Sequence, residues 1–274
     1  MTTSATLAAG LAGIAPAADG GGFEPPSLDD FYPQAFALVG TPFELNRVML
    51  VRIVMTLVLV AMFGIGAARA KVVPGRVQNL LEMLLEFVRK NIAVEILGEK
   101  YGARYAPIIT TIFLGVFFLN ISGILPGLQI ASTGVVGMPL VFAIVSYIAF
   151  VYAGVRANGA GKFVRGALVP AGVPGFLYPL IIPVEFLSTF VLRPLTLTVR
   201  LMANMISGHL LLSLCFLATN ALFVYATAQL KVLGTITFVA GIVFILFEAF
   251  VAALQAYIFA LLSAVYIESS VHMH

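Results

Sequence analysis

Charge is what this sequence has least of. Only 10% of its 274 residues are Asp, Glu, Lys or Arg, against about a quarter in an average soluble domain. The hydrophobic share is 61%, more apolar surface than a soluble core of this size can hide, whereas lipid can take it. Cysteine is nearly absent as well. The single Cys215 excludes an internal disulfide and, in its apolar run, reads as a small hydrophobe. The first 46 residues contain no Lys or Arg, although they hold Asp19, Glu24, Asp29, Asp30 and Glu44. Without a basic n-region, the weak apolar run over residues 4–18 does not make a secretory signal. Residues 1–46, rich in Gly and Pro, read as an extra-membrane tail. No Gly-rich phosphate loop is present, so the chain itself is expected to bind no nucleotide. Nor is there an internal repeat, which argues against a transporter built from inverted halves. The net charge of +3 comes from basic residues scattered in short loops without aromatics between them, which excludes a nucleic-acid surface.

What the chain does have is apolar runs of membrane length, about 20 residues each. Three ordinary spans are expected at roughly Val48–Ala68, Ala106–Leu125 and Pro139–Val155. Arg47 and Arg52 sit near the outer end of the first, where long side chains can snorkel to water. Pro74 and Gly75 break the helix after it. The stretch VQNLLEMLLEFVRKNIAVEILG then repeats Leu80, Leu81, Leu84, Leu85 and Val88 at helical spacing, with Glu82, Glu86, Arg89 and Lys90 on other faces. That pattern predicts an amphipathic helix on the membrane surface. The basic loops 69–104 and 156–165 fall on one side. The positive-inside rule makes that side cytoplasmic and the N-terminus external.

Residues 168–274 differ from residues 47–167. From Tyr178 to about Tyr225 only Pro179, Pro183 and Pro194 interrupt the apolar pattern. As one helix this run would be about 70 Å long, against a hydrocarbon core of about 30 Å. Two arrangements satisfy that length: two spans with a hidden turn, or one long, tilted or bent helix. A second oversized run, roughly Val232–Glu268, comes after a turn near Gln229–Gly234. The fold class is therefore an all-α integral membrane protein with an external tail, three spans, one surface helix and a long C-terminal hairpin.

Ionisable residues inside apolar stretches cost roughly 2.5–3.5 kcal/mol each and point to function. Here they are Glu185, Arg193, Arg200, His209 and Glu248. Arg200 lies mid-helix and cannot easily lose its proton. Thr196 and Asn204 flank it at four-residue spacing on one face, with Arg193 nearly in line. His209 falls about 180° away. Glu248 and Gln255 share a face of the next helix. A hairpin centred near residue 231 puts residue 209 opposite about 253, within reach of both. A His–Glu pair of this kind can relay protons near neutral pH. Gly123, Gly127, Ala252, Ala253 and Ala256 read as close-packing positions. Ser146 and Tyr147 fit either channel lining or helix–helix bonding. His272 and His274 read as solvated ends, not metal ligands.

The run EFLSTFVLRPLTLTVRLMANMISGH, with FEAFVAALQAYIFALLSAVYI and ITTIFLGVFFLNISGILPGLQ, resembles the a subunit of F-type rotary ATP synthases over residues 40–270. The resemblance implies that Arg200 is a stator arginine facing the carboxylate of a rotor ring of c subunits. It implies that Asn204 is the polar residue one turn on, and that Gln255 is the glutamine opposite the arginine. His209 and Glu248 become a coupled pair of the external proton half-channel, with Asn120 on an earlier span. Glu185 resembles a glutamate of the cytoplasmic half-channel, joined there by Thr196 and Arg193. It stands fifteen residues before Arg200, where the family spacing implies fourteen, an excess that a helical bulge would absorb. The expected partners are the c ring, peripheral-stalk b subunits, the remaining complex, protons and membrane lipid. No cofactor or metal is expected, and no catalysis by this chain. The competing classes are a secondary transporter with a midplane site and a membrane assembly scaffold.

Overall fold

The computed structural model describes residues 45–125, 132–168, 177–224 and 230–272. The tail 1–44, Gly127, Gln229 and His274 therefore lie outside the described residues. Every element among the described residues is helical. Helix α1 spans Arg47–Ala68, opened by Asn46, whose side-chain oxygen accepts from the Met49 amide. Helix α2 (Arg76–Val88) comes after the Pro74-Gly75 break. A π-helical turn, Arg89–Val94, joins it to α3, Glu95–Ile121. The chain kinks at Gly98, with φ 72° and ψ 172°, a conformation that is essentially glycine's alone. The amphipathic stretch expected from the sequence ends at this residue, and the membrane-length run begins after it.

Helix α4 spans Gly137–Asn158 and stops at Gly159, whose φ of 82° ends the helix. A short helix α5, Ala160–Leu168, carries the basic loop. Helix α6 is Tyr178–Phe186. A second π turn, Leu187–Leu192, links it to α7, Arg193–Val224. Helix α8 runs from Lys231 to Val271. Among the described residues five helical runs are long and apolar enough to cross a membrane, with α2–α3 and α6–α7 each forming one of them. Of the two arrangements open for this run, the structure takes the single long helix over its described part, Tyr178–Val224.

The core lies where α3, α4, α7 and α8 meet, around Ile109, Ile112, Leu201, Phe259, Ala260 and Ile267. Small residues on α8 permit the close approach: Ala252, Ala256, Ala260 and Ala264 are fully buried. Ser146 donates to Ser263 across α4 and α8 at 2.8 Å, both buried, so Ser146 serves helix–helix bonding. Asn158 donates to the carbonyls of Ser270 and Val271 and so caps the end of α8.

One expectation needs correction. Arg52 does not snorkel to the outer end of α1. It is half-buried and donates from Nε to the Ser132 carbonyl at 3.0 Å and from a terminal nitrogen to the Val135 carbonyl at 3.4 Å. Carbonyls freed by the segment before α4 give the guanidinium closer acceptors than water. The apolar residues of α2 divide between the core and the outside. Leu81 and Val88 are buried and Leu84 packs on the core, but Leu80 is 64% exposed. On the exposed side of α2, Lys90 pairs with Glu86 and holds that carboxyl below its usual range; such solvated pairs add little stability.

Candidate functional site

The hairpin of α7 and α8 carries most of the singled-out residues, and its register decides which of them meet. Thr219 donates to Thr237, Gly208 lies against Glu248, and Asn204 donates to Gln255 at 2.9 Å. The pairing centre falls a few residues before 231, because the turn closes ahead of Lys231. Gly208, not His209, therefore faces Glu248. His209 is half-buried, about 100° further round α7. Neither carboxyl oxygen of Glu248 has a hydrogen-bond partner, so the structure does not join His209 to Glu248 by a hydrogen bond.

Glu248 and Gln255 are 4% and 2% exposed. Gly208 is what lets the Glu248 side chain lie flat on α7: a Cβ there would stand 2.9 Å from Oε1. Beside them opens a cleft of about 300 Å³ lined by Asn204, Ser207, Gly208, Phe244, Glu248 and Val251 among others. Asn204 and Glu248 thus border one space. Asn120, on α3, is fully buried; its oxygen accepts from Thr133 at 2.7 Å while its amide nitrogen has no partner. Among the described residues four buried polar atoms are left without a hydrogen bond: Asn120 Nδ2, both Glu248 oxygens and Gln255 Nε2. Each such atom costs about 1–3 kcal/mol if nothing serves it. All four belong to residues singled out from the sequence.

Arg200 lies one turn before Asn204 on α7, about 80° round the helix from Gly208. It is exposed, and among the described residues no hydrogen bond or ion pair reaches its guanidinium. Thr196, Ala203 and Ser207, also exposed, continue its stripe at helical spacing. Thr196 turns its hydroxyl back to the Arg193 carbonyl. Arg193 points inward instead, its guanidinium over the Tyr266 and Phe150 rings at 5.1 and 5.6 Å. Glu185 is half-buried on α6 and is separated from Arg200 by the π turn. A π turn holds one more residue than an α turn. Fifteen residues that include one therefore keep nearly the facing of fourteen α-helical residues.

Sequence reasoning missed Thr133 and the Arg52 contact, because both join segments far apart in the chain. The polar character of Ser132 and Thr133 next to an apolar span was the available signal. His272 pairs with Glu268 and meets the edge of Tyr101. Among the described residues no cluster of three or more His, Cys, Asp or Glu could hold a metal.

These features define a multi-pass, all-helical membrane protein whose polar groups gather in the seam of one long hairpin, with an uncompensated arginine on its outer face. The ATP synthase A chain family matches residues 48–268. An ATP synthase subunit a of Rhodococcus erythropolis is 48% identical, with 91% of each chain covered. One of Frankia alni is 37% identical over 90% of this chain and 85% of the relative. One of Paenarthrobacter aurescens is 34% identical over 94% and 96%. The chain belongs to the ATP synthase A chain family and is a multi-pass bacterial membrane protein.

Proposed function

We propose that this chain is the proton-translocating stator of an F-type ATP synthase, with Arg200 set against the rotor ring between two offset half-channels. The observation that carries this reading is the outward-facing Arg200 without a partner in its own chain among the described residues. A guanidinium cannot shed its charge, and lipid does not neutralise it. A second protein must bring an acid to it. The neighbours Thr196, Ala203 and Ser207 are small enough for a partner helix to come close.

A rotor carboxylate is neutral while it faces lipid. About 4 Å from Arg200, at an effective dielectric of about 20, it gains about 4 kcal/mol as an anion. That favours ionisation by about a thousandfold. The external half-channel runs past Asn120, Gln255, Asn204, Glu248 and His209. The cleft beside Glu248 and the unpartnered atoms of Asn120, Gln255 and Glu248 support this route. Glu185 and Thr196 serve the cytoplasmic half-channel; the facing restored by the π turn supports the place of Glu185. Arg200 keeps protons from passing straight between the two. Each proton delivers about 2.3 kcal/mol per 100 mV to ring rotation. The basic loops place the N-terminus outside and the C-terminus in the cytoplasm. The peripheral-stalk b subunits hold the chain still against the turning c ring.

The test is ATP-driven acidification of vesicles carrying the whole complex. Arg200→Ala is expected to abolish pumping while the complex still assembles. Undiminished coupled pumping would remove Arg200 from the mechanism.

A further inference from the structure

Arg193 is the first residue of α7 and comes directly after the π turn Leu187–Leu192. Its guanidinium is held between Tyr266 of α8, at 5.1 Å, and Phe150 of α4, at 5.6 Å. Phe150 packs on Tyr147, and Tyr147 meets Phe190 from within the π turn, edge to face at 6.2 Å. Aromatic rings of α4 and α8 thus hold this stretch at Phe190 and at Arg193. Among the described residues no carboxylate pairs with Arg193. The space beside it is only about 10 Å³, which admits one water at most and no file of waters. These surroundings suit a mechanical part better than a proton carrier.

A π turn has one surplus residue and is a place where a helix can change register. Moving that surplus along α7 to a place beyond Arg200 would turn the segment it passes, Arg200 included, by about 100° relative to α6. Arg200 lies two turns beyond Arg193, on the opposite side of the π turn from Glu185. We propose that Arg193 is a positioning residue: clamped between Tyr266 and Phe150, it locks the π turn in register and so fixes the direction in which Arg200 faces. The proposal rests on the ring-facing role proposed for Arg200.

The complete complex in inverted vesicles provides the test, with ATP hydrolysis and ATP-driven acidification measured together. Arg193→Gln is expected to keep hydrolysis but lower pumping at least fivefold, because a misdirected Arg200 uncouples the two. Arg193→Lys and Tyr266→Phe, which keep a cation on a ring, stay within twofold of the unaltered chain. Tyr266→Leu reproduces the Arg193→Gln defect. Deleting Val191 removes the surplus residue and leaves Arg200 fourteen residues after Glu185 in continuous α-helix. That chain pumps, and in it Arg193→Gln costs less than twofold. Normal coupling in Arg193→Gln overturns the proposal. So does a normal Tyr266→Leu beside a defective Arg193→Gln, which would give Arg193 a direct part in proton movement. A Val191 deletion that cannot pump, or that stays sensitive to Arg193→Gln, also overturns it. Should Arg193→Gln fail to assemble, Tyr266→Leu and Phe150→Leu supply the same ratio of pumping to hydrolysis. Arg200→Ala in the same vesicles separates the two levels: if it pumps, the underlying reading falls; if it does not while Arg193→Gln does, only the clamp falls.

Discussion

A glycine sets the distance at which Glu248 can lie on α7. The Cβ of any other residue at position 208 would stand 2.9 Å from Oε1 and 3.2 Å from Cδ of Glu248. The obstructing atoms are the end of a flexible side chain, so the backbone need not move; the carboxyl swings away instead. Gly208→Val is therefore expected to assemble normally and to lower ATP-driven pumping several-fold by displacing Glu248 from the cleft. Glu248→Gln keeps the volume and removes the proposed proton site, and pumping should fall at least as far. If both variants pump like the unaltered chain, Glu248 is a packing residue and the external half-channel passes elsewhere. At this scale the sequence was informative about which residues matter and less so about what they touch. Glu248, Gln255 and Asn120 stood out because polar groups in apolar runs are costly. The Asn204–Gln255 bond and the facing of Gly208 depend on where the hairpin turns, and a shift of a few residues there reassigns every pair across it.

Gly102 makes a similar case for elements. After the kink at Gly98, α3 passes so close to the preceding π turn that a Cβ on Gly102 would stand 2.7 Å from the Val94 Cα and 2.8 Å from the Ala93 carbonyl oxygen. Backbone cannot rotate out of the way. Gly102→Ala should cost about 1–3 kcal/mol, the range for overpacked sites, and lower the thermal stability of the purified chain in detergent. Gly161→Ala, with nothing within 4 Å of its Cβ, is the matched control and should change little. An equal effect of the two would mean that α3 does not lie against that turn. The ends of α1 and α4 were legible because hydrophobic length and Gly or Pro breakers fix them. The π turns were not, since Leu187–Leu192 and Arg89–Val94 carry no composition of their own. The single trace of one was the fifteen-residue gap between Glu185 and Arg200. The apolar stripe of α2 was legible as a stripe, but not its division: tertiary packing takes Leu81 and Val88 into the core and leaves Leu80 outside.

For the whole molecule, the telling fact is how little of the hairpin is covered. On α7 and α8, Val199, Leu211, Leu246, Phe247 and Phe250 are all exposed, as membrane-facing residues are. Arg200 sits in that otherwise apolar surface, and the exposed small residues around it lie on one side of α7. If that side is the rotor face, contact with the ring must be confined to it. In a chain with Cys215→Ser, cysteines at Ala203 and Ser207 should form disulfides under mild oxidation with cysteines near the carboxylate of the rotor helix. A cysteine at Leu57, 62% exposed on α1, should form none, although it is equally open to the membrane. Disulfide geometry requires Cα atoms within about 7 Å, so the reaction reads direct contact. Cross-links at 203 and 207 but not 57 fix the ring against the Arg200 stripe. Cross-links at 57 alone would put the ring on α1, leave Arg200 facing lipid without a partner, and remove the ground on which the stator reading stands.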